Sequence, residues 1–242
     1  MNKKQNIRLL SLEEIKDQTI QLGEKAFRAK QLWEWLWKRN ALSFEQMDTL
    51  PKAFRESLAQ NFDLLPIKVK TQQVSTDRTV KTAFNLHDGF TVEGVLIPTA
   101  KRMTACISTQ VGCSLTCKFC ATGKLKRERN IQFDEIFDQV AYIKNQADTL
   151  YKKPLTNIVY MGMGEPLYNF DGVKGAMKIV MDGDGLALSL AQQLVVMFLA
   201  LATSTGAPPS VIGRPLTSVT VSVSPCALTV SPKPGTSGYS PS

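Results

Sequence analysis

The first sixty residues place apolar positions at helical spacing, and from Ile67 the pattern changes to short runs rich in β-branched residues. Ala26–Arg39 contains neither Gly nor Pro and sets Phe27, Leu32, Trp35, Leu36 and Arg39 at mixed helical spacings, which predicts a helix. Trp33, Trp35 and Trp37 cannot share one face of it, so some of them must pack on a neighbouring element or a partner. Ser43–Met47 and Lys52–Gln60 predict two shorter helices. The second packs Phe54 and Leu58 and follows Pro51, whose missing N–H costs nothing at a helix start.

Ile67–Val74, Thr79–Leu86 and Thr91–Ile97 read as strands, with His87-Asp88-Gly89 as a hairpin turn. Met103–Gln110 reads as a further strand that runs directly into a cysteine-bearing loop. Phe133–Gln146 then predicts a helix, Asn157–Met161 a buried strand and Val173–Met181 a helix. Strand, loop and helix in repeated succession predict parallel βα units and an α/β fold.

After Gly185 the character of the chain breaks. From Leu186 to Ser242 there is no Asp or Glu, and only Arg214 and Lys233 carry charge. Ser, Thr, Gly and Pro dominate the end, with Pro208-Pro209, Pro232 and Pro234 opposing regular structure, so a disordered tail is expected. A low-complexity linker would account for the composition, but the abruptness of the change suggests a shifted reading frame or a gene-model error. The net charge of +8 favours an anionic partner, of which nucleic acid is the commonest. Met1–Gln5 opens with charge and no apolar core follows, which argues against a secretory signal. Leu194–Ala202, the longest apolar stretch, falls short of the roughly 20 residues that span a bilayer, so no membrane association is expected. Five cysteines, three of them within eight positions, do not make a secreted disulfide framework, and a cytoplasmic location fits them.

Cys113-Ser-Leu-Thr-Cys117-Lys-Phe-Cys120 has the spacing C-x3-C-x2-C. Three thiolates on one short loop suit three corners of a [4Fe–4S] cluster, leaving the fourth iron without a protein ligand. That open iron is where the amino and carboxylate groups of S-adenosylmethionine (AdoMet) can chelate. The alternatives are structural zinc, with His87 or Cys106 as a fourth ligand at untypical spacing, or inert thiols.

At these residues the chain resembles the radical AdoMet superfamily. More narrowly, Gln110-Val111-Gly112-Cys113, Cys117-Lys118-Phe119-Cys120-Ala121-Thr122-Gly123 and Met161-Gly162-Met163-Gly164-Glu165-Pro166-Leu167 are similar to the RlmN family. The similarity runs from about residue 10 to Ser189. It implies a radical AdoMet methyltransferase acting on carbon 2 of adenine in 23S rRNA and tRNA; the related Cfr enzymes act on carbon 8. It implies three regions: a helical RNA-binding domain (1–65), a β extension with the start of a partial (βα)6 barrel (66–189), and a tail (190–242) foreign to the family. A monomer served by a flavodoxin or ferredoxin system is implied as well.

Residue by residue, the resemblance makes Cys113, Cys117 and Cys120 the cluster ligands, and Gly164 and Glu165 AdoMet contacts. Gly162 and Gly164 would let the backbone approach a ligand closely, while Glu165 would face the ammonium of AdoMet. Glu93 falls at the position of the base that removes a proton from the methylated adenine. On its strand it shares a side with Thr91, Val95 and Ile97, as either an edge residue or a buried group suited to proton transfer. Cys106 falls where the family has a resolving thiol, which forms a disulfide with a methyl-carrying cysteine near the C-terminus. The late Cys226 lacks the glycine flanks of that partner. Lys25, Arg28, Lys30, Lys38 and Arg39, interleaved with aromatics, and the run Lys124–Arg129 are candidates for RNA contact. From Leu190 the family pattern is lost, so about two of six βα units are expected. Such a chain should be unstable and inactive, or a fragment that binds only RNA or a cluster.

Overall fold

The computed structural model describes residues 4–188, apart from Thr116 and Phe119, together with Gln193 and Leu194. The chain opens with β1 (Gln5–Asn6), α1 (Leu12–Gln21), α2 (Phe27–Trp37) and α3 (Lys52–Asn61), and β2 (Phe62–Asp63) returns to pair parallel with β1. Ser11 and Glu14 form a capping box that starts α1, so two orphan N–H groups are satisfied reciprocally. Lys52 opens α3 directly after Pro51, and Phe54 and Leu58 are buried on it as the spacing predicts. Ser43–Met47 forms only a 3-10 turn, Phe44–Gln46.

The three tryptophans divide as helical geometry requires. Trp37 is completely buried and lies 5.0 Å, centroid to centroid, from Phe137 and 5.9 Å from Phe133. Both phenylalanines belong to α4 (Phe133–Gln146). Trp33 meets the edge of Trp37, whereas Trp35 turns outward, donates from Nε1 to Thr49 Oγ1 at 2.7 Å, and carries the Arg39 guanidinium over its ring.

Polar groups fix the same docking surface. Arg8, fully buried, donates to Asp138 Oδ1 at 2.5 Å and to Asn40 Oδ1, while Asn6 donates to Asp134 Oδ2 at 2.7 Å. Asp138 Oδ2 also accepts the Ile67 N–H. A buried charge persists only when paired and hydrogen-bonded, and Arg8 and Asp138 meet that condition for each other.

β3 (Lys68–Val74), β4 (Val80–Asn85), β5 (Thr91–Pro98) and β6 (Met103–Cys106) follow as an antiparallel meander. Gly89, at φ +88°, supplies the turn between β4 and β5. After the short ladder of β7 (Gln110–Val111) with β8 (Arg129–Asn130) and the helix α4, the strand β9 (Asn157–Val159) pairs parallel with β6. Helix α5 (Phe170–Met181) then leads to β10 (Gln193–Leu194), parallel with β9. The sheet order is β10-β9-β6-β5-β4-β3. The chain is thus α/β, with two successive βα units at the start of a parallel barrel, as the element pattern implies. The disordered tail expected from 190 lies outside the described residues, apart from the two that form β10.

One face of the sheet is closed by α4. At Gly94 a Cβ would stand 2.9 Å from Ile143 Cδ1, and Gln146 Nε2 donates to Thr82 Oγ1. Val80, Phe84, Val92, Leu96, Ala105 and Ile158 fill that side. The opposite face carries Lys81, Ala83, Glu93, Thr104, Cys106 and Val159, all exposed or half-buried. Every residue of β3 is exposed, and Lys68 and Lys70 with a register shift after Val69 guard that edge against further pairing. No helix among the described residues is long and apolar enough to cross a membrane.

Candidate functional site: two loops joined at the end of the parallel strands

Because β6 and β9 run parallel, the segments leaving their C-terminal ends emerge side by side, where ligands bind in barrel folds. Residues 107–110, on the way to the cysteines, are bonded to the loop after β9 along their whole length. Ile107 N–H donates to Val159 O, Gly162 N–H to Ile107 O, and the N–H groups of Thr109 and Gln110 both to Met163 O. Side chains complete the junction. Ser108 Oγ donates to Glu93 O at 2.6 Å and accepts Met163 N–H at 2.8 Å, and Gln110 Oε1 accepts Glu165 N–H at 3.0 Å.

This junction explains the glycines differently from the sequence reading. A Cβ on Gly162 would meet Ser108 Oγ at 2.7 Å, and one on Gly164 would run into Cβ and Cγ of Gln110. Gly164 also sits at φ +91°. Close approach of the backbone is required, but here it is to the neighbouring loop.

The loop from Gly112 to Glu128 is closed by the β7–β8 ladder and by Glu128 N–H donating to Val111 O. Gly112, at φ +73°, lies against the Lys126 carbonyl, where no Cβ fits, and Gly123 packs on the backbone of Leu115 and Cys117. Cys113, Cys117 and Cys120 stand half-buried on this loop as free thiols. Cys120 N–H donates to Cys117 O, and Leu115 N–H points at Cys113 Sγ at 3.4 Å. Among the described residues, no three His, Cys, Asp or Glu side chains already converge on one metal position. The donor set still fits a cluster in kind: three soft sulfur ligands on one loop, one of them accepting an N–H bond of the sort that tunes cluster sulfur.

Glu135 Oε1 is 3.2 Å from His87 Nδ1, and both Glu135 oxygens accept from Arg129, which also donates to Asp88. His87 is therefore committed to holding the hairpin turn against the loop exit, which disfavours it as a zinc ligand. No disulfide joins the described cysteines, so the bond implied for Cys106 is not formed among them; Cys226 lies outside the described residues. Cys106 pairs with Val95 in register and stands on the open face of the sheet.

Glu93 stands on that same face. Neither alternative read from the sequence holds: β5 is an interior strand, and the Glu93 side chain is 47% exposed. Its carboxylate meets Lys81 Nζ at 3.0 Å across the β4–β5 pair. The apolar residues beside it suggested burial, but α4 covers the other face. Glu165 is buried and caps the turn Pro166–Asn169, accepting Leu167 N–H at 3.3 Å. Burial raises its pKa, opposed by that single N–H.

Sequence reading missed the polar residues that hold the loops: Ser108, Gln110, Asn130, Gln139 and Asn169. Gln139 exchanges hydrogen bonds with the Ser108 backbone, and Asn169 donates to the carbonyls of Thr109 and Ile131. The available signal was Ser108-Thr109-Gln110, three consecutive polar residues just after the strand, all of them buried.

Comparison with known proteins agrees with this arrangement. Residues 5–64 match the ribosomal RNA large subunit methyltransferase N-terminal domain, and residues 107–208 the radical SAM superfamily. A probable dual-specificity RNA methyltransferase RlmN of Cytophaga hutchinsonii is 57% identical over 187 residues, covering 77% of this chain and 51% of the relative. The dual-specificity RNA methyltransferase RlmN of Zymomonas mobilis is 45% identical, covering 72% and 46%. The crystal structure of a radical SAM methyltransferase from Sphaerobacter thermophilus matches with a TM-score of 0.71 and 33% identity, covering 79% of this chain and 56% of that one. The chain spans about half the length of the curated relatives it matches. Membership of the superfamily implies a [4Fe–4S] cluster and AdoMet as cofactors. With a helical module of one kind and a cysteine loop of the other joined in a single chain, the protein belongs to the RlmN family of the radical SAM superfamily.

Proposed function

We propose that this chain carries the cofactor-binding half of an RNA methyltransferase that modifies carbon 2 of adenine in 23S rRNA and tRNA, in the cytoplasm. The observation that carries the reading is the hydrogen-bonded union of the cysteine loop with the loop containing Gly164 and Glu165. It brings three cysteine thiols and a buried carboxylate to the same end of the parallel strands. Cys113, Cys117 and Cys120 would hold the cluster, and Gly164 and Glu165 the methionine part of AdoMet. When bound, these cofactors supply one-electron cleavage of a carbon–sulfur bond, chemistry that belongs to them rather than to the protein. A flavodoxin or ferredoxin would deliver the electron.

The chain's own residues supply recognition and proton transfer. Glu165, buried and with one weak partner, would gain a charge-assisted hydrogen bond from the AdoMet ammonium. Glu93, on the open face and reachable by a nucleobase, would accept the proton that leaves carbon 2 of the methylated adenine intermediate; Lys81 beside it keeps the carboxylate oriented. Cys106, on the same face two residues along the ladder, would act as the resolving thiol. Lys25, Arg28, Lys30, Lys38 and Arg39 on the helical module, and the run after the cysteine loop, would neutralise RNA phosphates.

Anaerobic reconstitution with iron and sulfide tests the reading. The expected result is about four irons per chain and an absorption spectrum that changes when AdoMet is added. Turnover is then assayed with a reductant and a 23S rRNA fragment or tRNA, reading 2-methyladenosine against 8-methyladenosine in the digested product. A protein that takes up no iron, or whose cluster ignores AdoMet, would overturn the proposal.

A further inference from the structure

Gln110 occupies a place that the cluster ligands alone do not explain. It lies three residues before Cys113, on β7, and is fully buried. Its side-chain amide reaches in two directions: Oε1 accepts the N–H of Glu165, and Nε2 donates to Asn130 Oδ1 at 2.8 Å. Its backbone N–H donates to Met163 O at 3.1 Å, and its Cβ and Cγ fill the space that a side chain at Gly164 would need. Asn130, on the strand that closes the cysteine loop, passes the connection on by donating to Tyr168 O at 2.9 Å. The amide offers both a donor and an acceptor over this span; a carboxylate loses the donor and an apolar chain loses both.

We infer that Gln110 is the positioning residue that sets the loop holding Glu165 in register with the cysteine loop, so that the two halves of the cofactor site meet in one geometry. It touches no ligand itself and acts through Glu165 and Asn130. The inference rests on the proposed function. It goes further in separating two events: cluster loading, which depends on the cysteines and the β7–β8 closure, and AdoMet binding, which depends on the register between the loops. Residues that orient a metal's ligands change metal affinity or activity by about 10–100-fold when removed, and a loss of that order in AdoMet affinity is expected here by analogy.

The test uses the full chain, reconstituted anaerobically, and first requires that the unsubstituted protein bind iron and AdoMet; failure there overturns the functional reading and this inference with it. Gln110→Met is then expected to hold as much iron per chain as the unsubstituted protein. Its AdoMet affinity by equilibrium dialysis should fall at least about tenfold, with a smaller AdoMet-induced change in the electron paramagnetic resonance of the reduced cluster. Combined with Glu165→Gln, it should cost little beyond Glu165→Gln alone, because residues acting through one another are not additive. Undiminished AdoMet affinity in Gln110→Met would overturn the inference. So would loss of iron, which would make Gln110 part of the cysteine loop's own fold, or full additivity in the double variant.

Discussion

Ser108 and Glu93 are joined by a 2.6 Å hydrogen bond from the serine hydroxyl to the glutamate carbonyl, and the same hydroxyl accepts Met163 N–H at 2.8 Å. One oxygen thus ties an antiparallel strand, the entry to the cysteine loop and the loop after β9. Ser108→Ala removes both bonds in a site closed to water, and should lower the unfolding free energy by about 1–3 kcal/mol in a urea titration. A change under about 0.5 kcal/mol would mean that the loops do not depend on this oxygen.

Glycine at 112 should matter to iron and little to the rest of the fold. A Cβ there runs into the Lys126 carbonyl at a backbone conformation disfavoured for other residues. Gly112→Ala is expected to lose most reconstituted iron while keeping its far-ultraviolet circular dichroism. Iron content equal to that of the unsubstituted protein would refute the steric account of the loop.

Glu93 and Lys81 separate function from stability. Their pairing is half-exposed, and such pairs contribute about 0–1 kcal/mol. Glu93→Gln should therefore leave the melting temperature within a degree or two and still abolish formation of 2-methyladenosine in RNA, read by mass spectrometry of the digested RNA. Product formation at the ordinary rate would remove Glu93 from the role of base.

Asp134 gives the fold a pH dependence of definite sign. Burial pushes its carboxyl up to about 6, against a hydrogen bond from Asn6 that favours the ionised form. The folded protein then holds this proton more tightly than the unfolded chain does. Asp134 favours the fold at low pH, and that contribution is lost as the pH rises from about 4 through about 6, in all by about 2–3 kcal/mol. Asp134→Asn should flatten the stability profile across this window, as chemical denaturation at stepped pH would reveal. An unchanged slope would place the titration elsewhere.

Trp37→Ala should cost about 3–5 kcal/mol, because the ring is wholly buried between α2 and the two phenylalanines of α4. Limited proteolysis should then cut first in the connection between α2 and α3, where the chain leaves that contact. Unchanged protease resistance would show that Arg8 and Asn6 hold the module without it.

What was legible in the sequence followed from local rules. Helical spacing located α2 and α4, the Asp88-Gly89 turn located the β4–β5 hairpin, and the cysteine spacing marked the loop as the place to look for chemistry. That the three tryptophans cannot all share one helical face correctly required a neighbour for some of them, though nothing local could name Trp37 or Phe137. The remainder depended on which segments the sheet places side by side. Glycines 162 and 164 announced a close approach, yet only the pairing of β6 with β9 shows that Ser108 and Gln110 occupy the space. Glu93 was misjudged because alternation along one strand tells which residues share a face, and the position of α4 decides which face is covered.

Helix α4 deals its polar side chains to different clients turn by turn. Asp134 and Asp138 hold the helical module, Glu135 grips Arg129 at the exit of the cysteine loop, and Gln139 grips Ser108 at its entrance. A load applied to the module would consequently be borne by the same helix that supports both ends of the cysteine loop. On the proposed function, RNA engagement and cofactor geometry would rest on one shared support.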